Sequence, residues 1–514
     1  MKKTILSTLF LCLLTWPIQA AVDVRMQGSI YAEIASEPGD VLRAGTRLQL
    51  YSELASSGAT FGKIRLIGFN QKTGELNRFA STSYLRLDNL INWAEVQLKG
   101  NIFPQGPEAV LSIGNVEVDY SPYTISLRDD LLNYHHSSYL NRPGVAIKDL
   151  NVGGFDGAGF ILWGFEDPLK NAMGGKVSKK IGQTTFSGII VDYRNRSADA
   201  QKNILESFNQ NQQLTSALEW EQTKSLELEQ KIGALGSFRV LIANQEQKNY
   251  RRVMNQDVEI VIEDSVLRNY EWGLPITNEI DLLVGYRDIP VGFDPIFRDR
   301  TPEFDAQKGY YLGYNPIDRY KDRAGFYSKI KAQKDMFKLA IEIEDLKDHQ
   351  VLPTNYRIAK VALVGQVSSY QVDFFSQLKQ RNSWFSTGIR NALQEGFTRL
   401  ILTRPVIIGK TPLLAGLEFL KQGDASVNRN QGTLFARYQK SDYLTVDAGV
   451  IQAFSKGATG GGYWGFNYKA PNGLEFRYRH AYPTVISDGK LLYDPDYRLR
   501  EEGNIAQMSV NIKF

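Results

Sequence analysis

The chain has one cysteine and four histidines in 514 residues. Cys12 lies in an apolar stretch from Ile5 to Trp16 that follows Lys2 and Lys3 and ends before the small residues Ala20 and Ala21. A basic start, a short apolar run and small residues make an export signal, with residues 1–20, or 1–21, removed by cleavage near Ala20. Cys12 then leaves with the leader, so the mature chain can build neither a disulfide framework nor a thiolate metal site. The apolar run is too short for a spanning helix. Downstream there is no run of about 18 or more apolar residues, which excludes a helical membrane protein. A basic surplus is lacking too. Without Lys2 and Lys3, 58 basic residues face 56 acidic ones, and nothing points to nucleic acid.

Catalytic patterns are equally scarce. No phosphate-binding glycine loop, HExxH or GxSxG element is present. Nucleophilic catalysis through a hydroxyl needs a base beside it, normally an oriented histidine. His349 falls in a polar loop, and His480 shares the strand parity of the apolar Leu474, Phe476 and Tyr478. His135 and His136, near Asp129 and Asp130, are adjacent and so point to opposite faces of an extended strand, which spoils shared metal ligation. The expectation is a protein that is not an enzyme and uses neither a cofactor nor a metal.

What is present is alternation. Met508, Val510, Ile512 and Phe514 fall on one face of a terminal strand, with Gln507, Ser509, Asn511 and Lys513 on the other. One face suits lipid and the other water. A strand so patterned that ends on phenylalanine resembles the assembly signal of bacterial outer-membrane β-barrel proteins, of porin-like type. The resemblance implies insertion among outer-membrane lipids, with the barrel-assembly machinery and periplasmic chaperones as partners during biogenesis. Abundant Tyr and Phe, 26 of each, suit aromatic girdles at two membrane interfaces.

Walking back from Phe514 extends the pattern. The polar stretch Tyr482 to Gly503 is long, and Pro471-Asn472-Gly473 is a tight turn. Ser455 to Gly461 is long again, and Lys440-Ser441-Asp442 is short. Earlier, the loops Lys421 to Gln431, Asn382 to Gly396 and Asp345 to Thr354 alternate with turns at Gly409-Lys410 and Ser368-Ser369. The clearest hairpin sets Phe326, Ser328, Ile330 and Ala332, then Phe337, Leu339, Ile341 and Ile343, on one face, joined by Lys334-Asp335. The fold expected is all-β: a transmembrane antiparallel up-and-down barrel with short periplasmic turns and long extracellular loops, formed by a single domain over 21–514. At about 25 residues per strand and connection, roughly 494 mature residues suggest about 16–20 strands.

The N-terminal half reads less clearly. Val24 to Ile34, Arg47 to Leu54, Thr60 to Ile67, Trp93 to Leu98 and Val110 to Val118 look like strands, but parity is lost between them. From Leu226 to Ile242 the even positions stay largely apolar, which suggests one long strand partnered by Leu214 to Glu221. The stretch Asp119 to Pro168 suits either short strands or an inward fold.

The other face assigns candidate pore-lining residues: Lys329, Lys331, Lys338, Glu342, Glu344, Gln371, Asp373, Gln377, Lys379, Glu475, Arg477 and Arg479. Charges of both signs favour passage of small polar solutes, although they could simply pair across strands and solvate the wall. The long connection Arg287 to Arg323 mixes Arg287, Arg298, Arg300, Arg319 and Arg323 with Tyr310, Tyr311 and Tyr314. Folded into the mouth it would narrow the pore and stack on ring-like solutes; packed on its neighbours it would be a protective lid. The expected function is a porin-like channel for passive diffusion of small hydrophilic solutes. A dedicated saccharide or polysaccharide channel and a non-conducting surface barrel, either adhesin or scaffold, are the alternatives. A plug-bearing TonB-dependent receptor is disfavoured, because strand-like alternation begins just after the leader. A homo-oligomer is compatible with any of these.

Overall fold

The computed structural model describes residues 22–37, 41–56, 59–70, 93–101, 106–127, 143–163, 170–195, 204–206, 216–252, 258–297, 322–384, 390–409, 411–423, 428–454, 461–471, 474–482 and 503–513. The strands begin with β1 (Val22–Glu37), β2 (Val41–Ser56), β3 (Ala59–Asn70), β4 (Trp93–Asn101), β5 (Glu108–Asn115), β6 (Val118–Ser121), β7 (Ile125–Leu127), β8 (Pro143–Val152) and β9 (Phe155–Trp163). Next come β10 (Lys170–Ile181), β11 (Thr184–Asn195), β12 (Ser216–Lys231), β13 (Ser237–Arg252), β14 (Val258–Thr277), β15 (Ile280–Ile289), β16 (Arg323–Lys334), β17 (Phe337–Lys347) and β18 (Asn355–Val367). The last are β19 (Tyr370–Trp384), β20 (Arg390–Ile408), β21 (Thr411–Gly423), β22 (Asn428–Gln439), β23 (Leu444–Ala453), β24 (Gly461–Lys469), β25 (Leu474–Tyr482) and β26 (Gly503–Lys513). Among the described residues no helix is long and apolar enough to cross a membrane, which leaves crossing by strands untouched.

All strands except β6 and β7 form one antiparallel sheet of 24 strands, each paired with its neighbours in order and β5 passing directly to β8. The order returns to its start, because β1 pairs with β26 from Ser29 opposite Lys513 to Ser36 opposite Ala506. A sheet whose first and last strands are hydrogen-bonded has no free edge.

The two faces differ as a lipid-water boundary demands. On β13, Leu241, Ala243, Gln245 and Gln247 are buried while Phe238 and Ile242 are exposed; on β10 and β11, Ala172, Ile189 and Val191 are buried while Met173 and Ile190 are exposed. In a closed sheet the buried face is the lumen and the exposed apolar face is the outer wall. Phe326, Ile343, Leu226, Ile262, Leu417, Leu434 and Val450 continue that outer surface around the ring. This is the architecture of an outer-membrane β-barrel, as the alternation in the sequence implies.

Turn chemistry gathers at one end. Gly153-Gly154, Gly182, Asp335, Ser368 and Gly409 take positive φ in tight connections, the left-handed conformation that two-residue hairpin turns require.

Three sequence expectations are corrected. The ring holds 24 strands rather than about 16–20, because several connections at the long end are far shorter than the average assumed. The loops placed at Asn382 to Gly396 and Lys421 to Gln431 are mostly strand: β19 runs to Trp384, β20 starts at Arg390, β21 runs to Gly423 and β22 starts at Asn428. Polar residues there keep pairing beyond the thickness of a bilayer. The 20 residues of β14 extend about 66 Å, whereas about 9–11 residues suffice to cross. Finally, Leu226 to Ile242 is a hairpin, not one strand. β12 and β13 meet through a single-turn 3-10 helix, Gly233–Leu235, with Gly233 and Gly236 at positive φ. Leu226 pairs with Ile242 and Leu228 with Val240, so even residues face lipid on both arms and the apparent parity runs unbroken through the turn.

Candidate functional site

The lumen has two unlike walls. Toward the long-connection end of β8 to β11 the inward side chains are apolar: Ala146, Phe160, Leu162, Ala172, Ile189, Val191 and Tyr193. Apolar side chains facing a water-filled lumen would be unfavourable uncovered, and they are covered. Residues 116–127, which follow β5, turn inward, and their small hairpin of β6 and β7 packs Val116, Val118, Ile125 and Leu127 onto this platform. Tyr120 lies over Phe160, ring centroids 6.0 Å apart, and burial pushes its phenol up to about 12.

A second segment reaches the same place from the connection after β15. Residues 290–297 fold back into the lumen, placing Phe297 in the platform cluster and Phe293 against Leu241, Ala243, Leu267, Ile289 and Tyr123 of the adjoining one. The Ser126 amide donates to the Phe297 carbonyl at 2.9 Å, joining the two in-folded segments.

The barrel wall holds this second segment by its backbone. Glu221, 3% exposed on β12, accepts the Ile296 amide on both carboxylate oxygens at 3.0 and 3.2 Å. Its Oε2 also accepts from Gln245 Nε2 at 2.9 Å, and the Asp294 amide donates to Gln245 Oε1 at 2.7 Å. A buried carboxylate is tolerated only with such donors around it.

The remaining inner wall is a ladder of opposite charges. Arg239 pairs with Glu227 and, at 3.5 Å, with Glu271. Tyr327 donates toward Glu271 at 2.7 Å and lies beneath Arg287, whose guanidinium is 5.0 Å from the ring. Arg287 reaches past β16 to Glu344 on β17 at 2.8 Å, with both side chains nearly inaccessible. It faces Gly325 in register, where a Cβ would meet the Asp345 carbonyl of β17 at 2.1 Å. Farther round, Arg399 meets Glu418 at 2.6 Å and Lys360 meets Glu342 at 4.0 Å.

The sequence candidates fall as follows. Lys329, Lys331, Lys338, Glu342 and Glu344 share the inner parity of β16 and β17, and Gln371, Asp373, Gln377 and Lys379 that of β19, where Gln377 and Lys379 are buried. Glu475 pairs with Lys469 at 3.6 Å. Arg477 and Arg479 lie on β25, but their side chains are outside the described residues. The supposed connection Arg287 to Arg323 is narrower than expected. Arg287 belongs to β15, and Arg323 opens β16 and stacks on Tyr356 at 3.8 Å. Arg298, Arg300, Arg319, Tyr310, Tyr311 and Tyr314 lie outside the described residues, as do His135, His136 and Phe514. Met508, Val510 and Ile512 are on β26, opposite Ile34, Ala32 and Ile30 of β1. Among the described residues no three His, Cys, Asp or Glu side chains converge as a metal site.

The sequence reading missed Glu221 and Gln245, whereas Phe293 and Phe297 fall in the connection it allowed to fold into the mouth and Tyr123 in the stretch it allowed to fold inward. The available signal was β9 to β11, where apolar residues occupy both parities: a barrel strand that is apolar on its lumen side must be covered from within.

No family model matches the chain, and no curated protein matches it in sequence. Among solved structures it is similar to the siderophore receptor PirA from Pseudomonas aeruginosa, at 10% identity and a TM-score of 0.43 over 95% of this chain and 80% of that one. The FrpB iron transporter from Neisseria meningitidis matches at 10% identity and a TM-score of 0.44 over 97% and 83%. The P pilus usher (PapC) translocation pore matches at 9% identity and a TM-score of 0.40 over 95% and 99%. Overlaps this loose carry no functional argument; the barrel assignment rests on the pairing ring and the alternation of burial.

Proposed function

We propose that the chain is an outer-membrane channel for passive diffusion of small hydrophilic solutes, with the solute path running beside the in-folded segments. The observation that carries this reading is the contrast between the two faces of the closed sheet. Outside is an exposed apolar surface, and inside are Arg, Lys, Glu and Gln side chains from β12 to β22. Barrels of sixteen to eighteen strands already leave an aqueous channel, and a ring of 24 encloses more. The in-folded segments cover the wall from β8 to β15, so they narrow the lumen from one side.

Planar-bilayer recording of the full-length protein tests the proposal. Stepwise open-channel currents are expected, with little block by neutral sugars. Strong block by oligosaccharides would favour a saccharide channel instead. A bilayer that stays sealed despite verified insertion would leave a surface scaffold as the reading.

A further inference from the structure

Several inner-wall charges are neutralised by a partner, and a group of lysines clustered at one end is not. At the short-turn end of the lumen, Lys180, Lys231, Lys329 and Lys331 line one cavity of ≈ 690 Å³ with Asp281, Leu283, Ser237 and the turn glycines Gly182, Gly233 and Gly236. All four lysines occupy inward parities: Lys180 shares that of Ala172, Lys231 that of Glu221, and Lys329 and Lys331 that of Arg323. Among the described ion pairs of the inner wall, Arg239, Arg287, Lys360 and Arg399 each meet a carboxylate. None of these four lysines does. Asp281 is the single carboxylate in the lining. Four cations against one anion is a local excess that the nearly balanced composition of the whole chain does not impose.

We infer that this end of the lumen is a vestibule that binds and selects small multivalent anions bearing phosphate, sulfate or carboxylate groups. The inference rests on the channel reading above, since it names the charge of the solute, but binding to the vestibule does not require conduction. Strands lie about 4.8 Å apart, so Lys180 and Lys231, two strands apart, are separated by roughly 10 Å along the wall, and β16 is about 19 Å beyond β12. Spacing that wide does not chelate one small anion. Instead it creates a positive field inside low-dielectric walls, which raises the local concentration of anions and repels cations. The expected signature is therefore permeability preference and weak, salt-sensitive affinity.

Reversal potentials of the full-length protein in a potassium chloride gradient are expected to show at least a threefold preference (~0.7 kcal/mol) for chloride over potassium. Combined Lys180→Gln, Lys231→Gln, Lys329→Gln and Lys331→Gln substitutions should abolish it, and K329Q/K331Q alone should remove about half. Selectivity unchanged in the fourfold variant would overturn the inference, as would cation preference in the unaltered protein. A second arm needs no current: equilibrium dialysis of the detergent-solubilised protein against labelled inorganic pyrophosphate at low ionic strength. Retention should fall at least fivefold in the fourfold variant and stay unchanged in K248Q, whose lysine is paired with Glu219. If the protein retains pyrophosphate but carries no current, the channel reading falls and the vestibule stands. No retention by the unaltered protein, or equal retention by the fourfold variant, sinks the vestibule itself.

Discussion

Replacing Glu221 should release the 290–297 segment while leaving the barrel assembled. The carboxylate accepts the Ile296 amide and orients Gln245, which in turn accepts the Asp294 amide. In Glu221→Ala a charge-assisted hydrogen bond is lost and a buried amide is left without its acceptor. Each such bond contributes about 1.5–3 kcal/mol, so the docked population should fall roughly ten- to hundredfold relative to the undocked one. Glu221→Gln keeps one acceptor oxygen but not the charge, and should cost about 1 kcal/mol, roughly a fivefold effect. Hydrogen-deuterium exchange by mass spectrometry on the peptide spanning 290–297 reads this directly: the Asp294 and Ile296 amides should be slow in the parent, faster in Glu221→Gln and fastest in Glu221→Ala. Peptides from β20 to β23, on the far wall, serve as the control and should not change. Equal exchange at 290–297 in all three proteins would refute the clamp, and uniform acceleration everywhere would mean that the barrel had been damaged instead.

Other outcomes follow from single contacts. His349 lies between Asp322 at 2.9 Å and Asp288 at 2.8 Å; burial pulls its pKa down, but the two carboxylates outweigh this and hold it above 6.5. A raised pKa means that the tie is fully present below about 6.5 and is lost as pH rises through the folded value, so the protection of 348–354, corrected for the intrinsic pH dependence of amide exchange, should fall on going alkaline and lose that fall in Asp322→Asn. A methyl group at Gly285 would sit 2.3 Å from the Tyr327 ring; Gly285→Ala should displace the Tyr327 hydroxyl from Glu271 at 2.7 Å and from Asn269 Oδ1 at 3.0 Å and lower stability by about 1–3 kcal/mol, read by thermal unfolding in detergent. Phe297→Ala empties a buried position in the platform and should cost about 3–5 kcal/mol in docking of the hairpin, visible as faster exchange at 118–127. Deleting Phe514 should lower the amount and rate of outer-membrane assembly, and normal levels in fractionated membranes would remove the role assigned to the terminus.

How much was legible depends on what each face touches. β16 and β17 were readable residue by residue, because Phe326, Ile330, Ile341 and Ile343 face lipid while Lys329, Lys331, Glu342 and Glu344 face the lumen, and the chemistry on the two sides differs. β9 and β10 were not, because Ile161 and Leu162, or Ala172 and Met173, are apolar neighbours on opposite faces. Lipid covers one and the in-folded hairpin covers the other. Periodicity registers a difference in polarity, not the identity of the covering. Strand ends failed for another reason: above the bilayer both faces meet water, so polar runs such as those ending β19 and β21 carry no mark that pairing continues. The clamp at Glu221 was invisible because its ligands are backbone amides, which any sequence supplies.

The pairing of β1 with β26 gives the molecule a seam. Every other rung of the ring joins strands that follow one another along the chain, apart from the step across the in-folded hairpin, so most of the wall can grow by adding hairpins with little loop closure. The contacts between Ser29–Ser36 and Ala506–Lys513 instead bring together residues from opposite ends of the polypeptide, and they cannot form until the wall between them has curved through a full turn. Closure is thus a single late event, and residues far from any solute path decide whether a growing sheet becomes a sealed container.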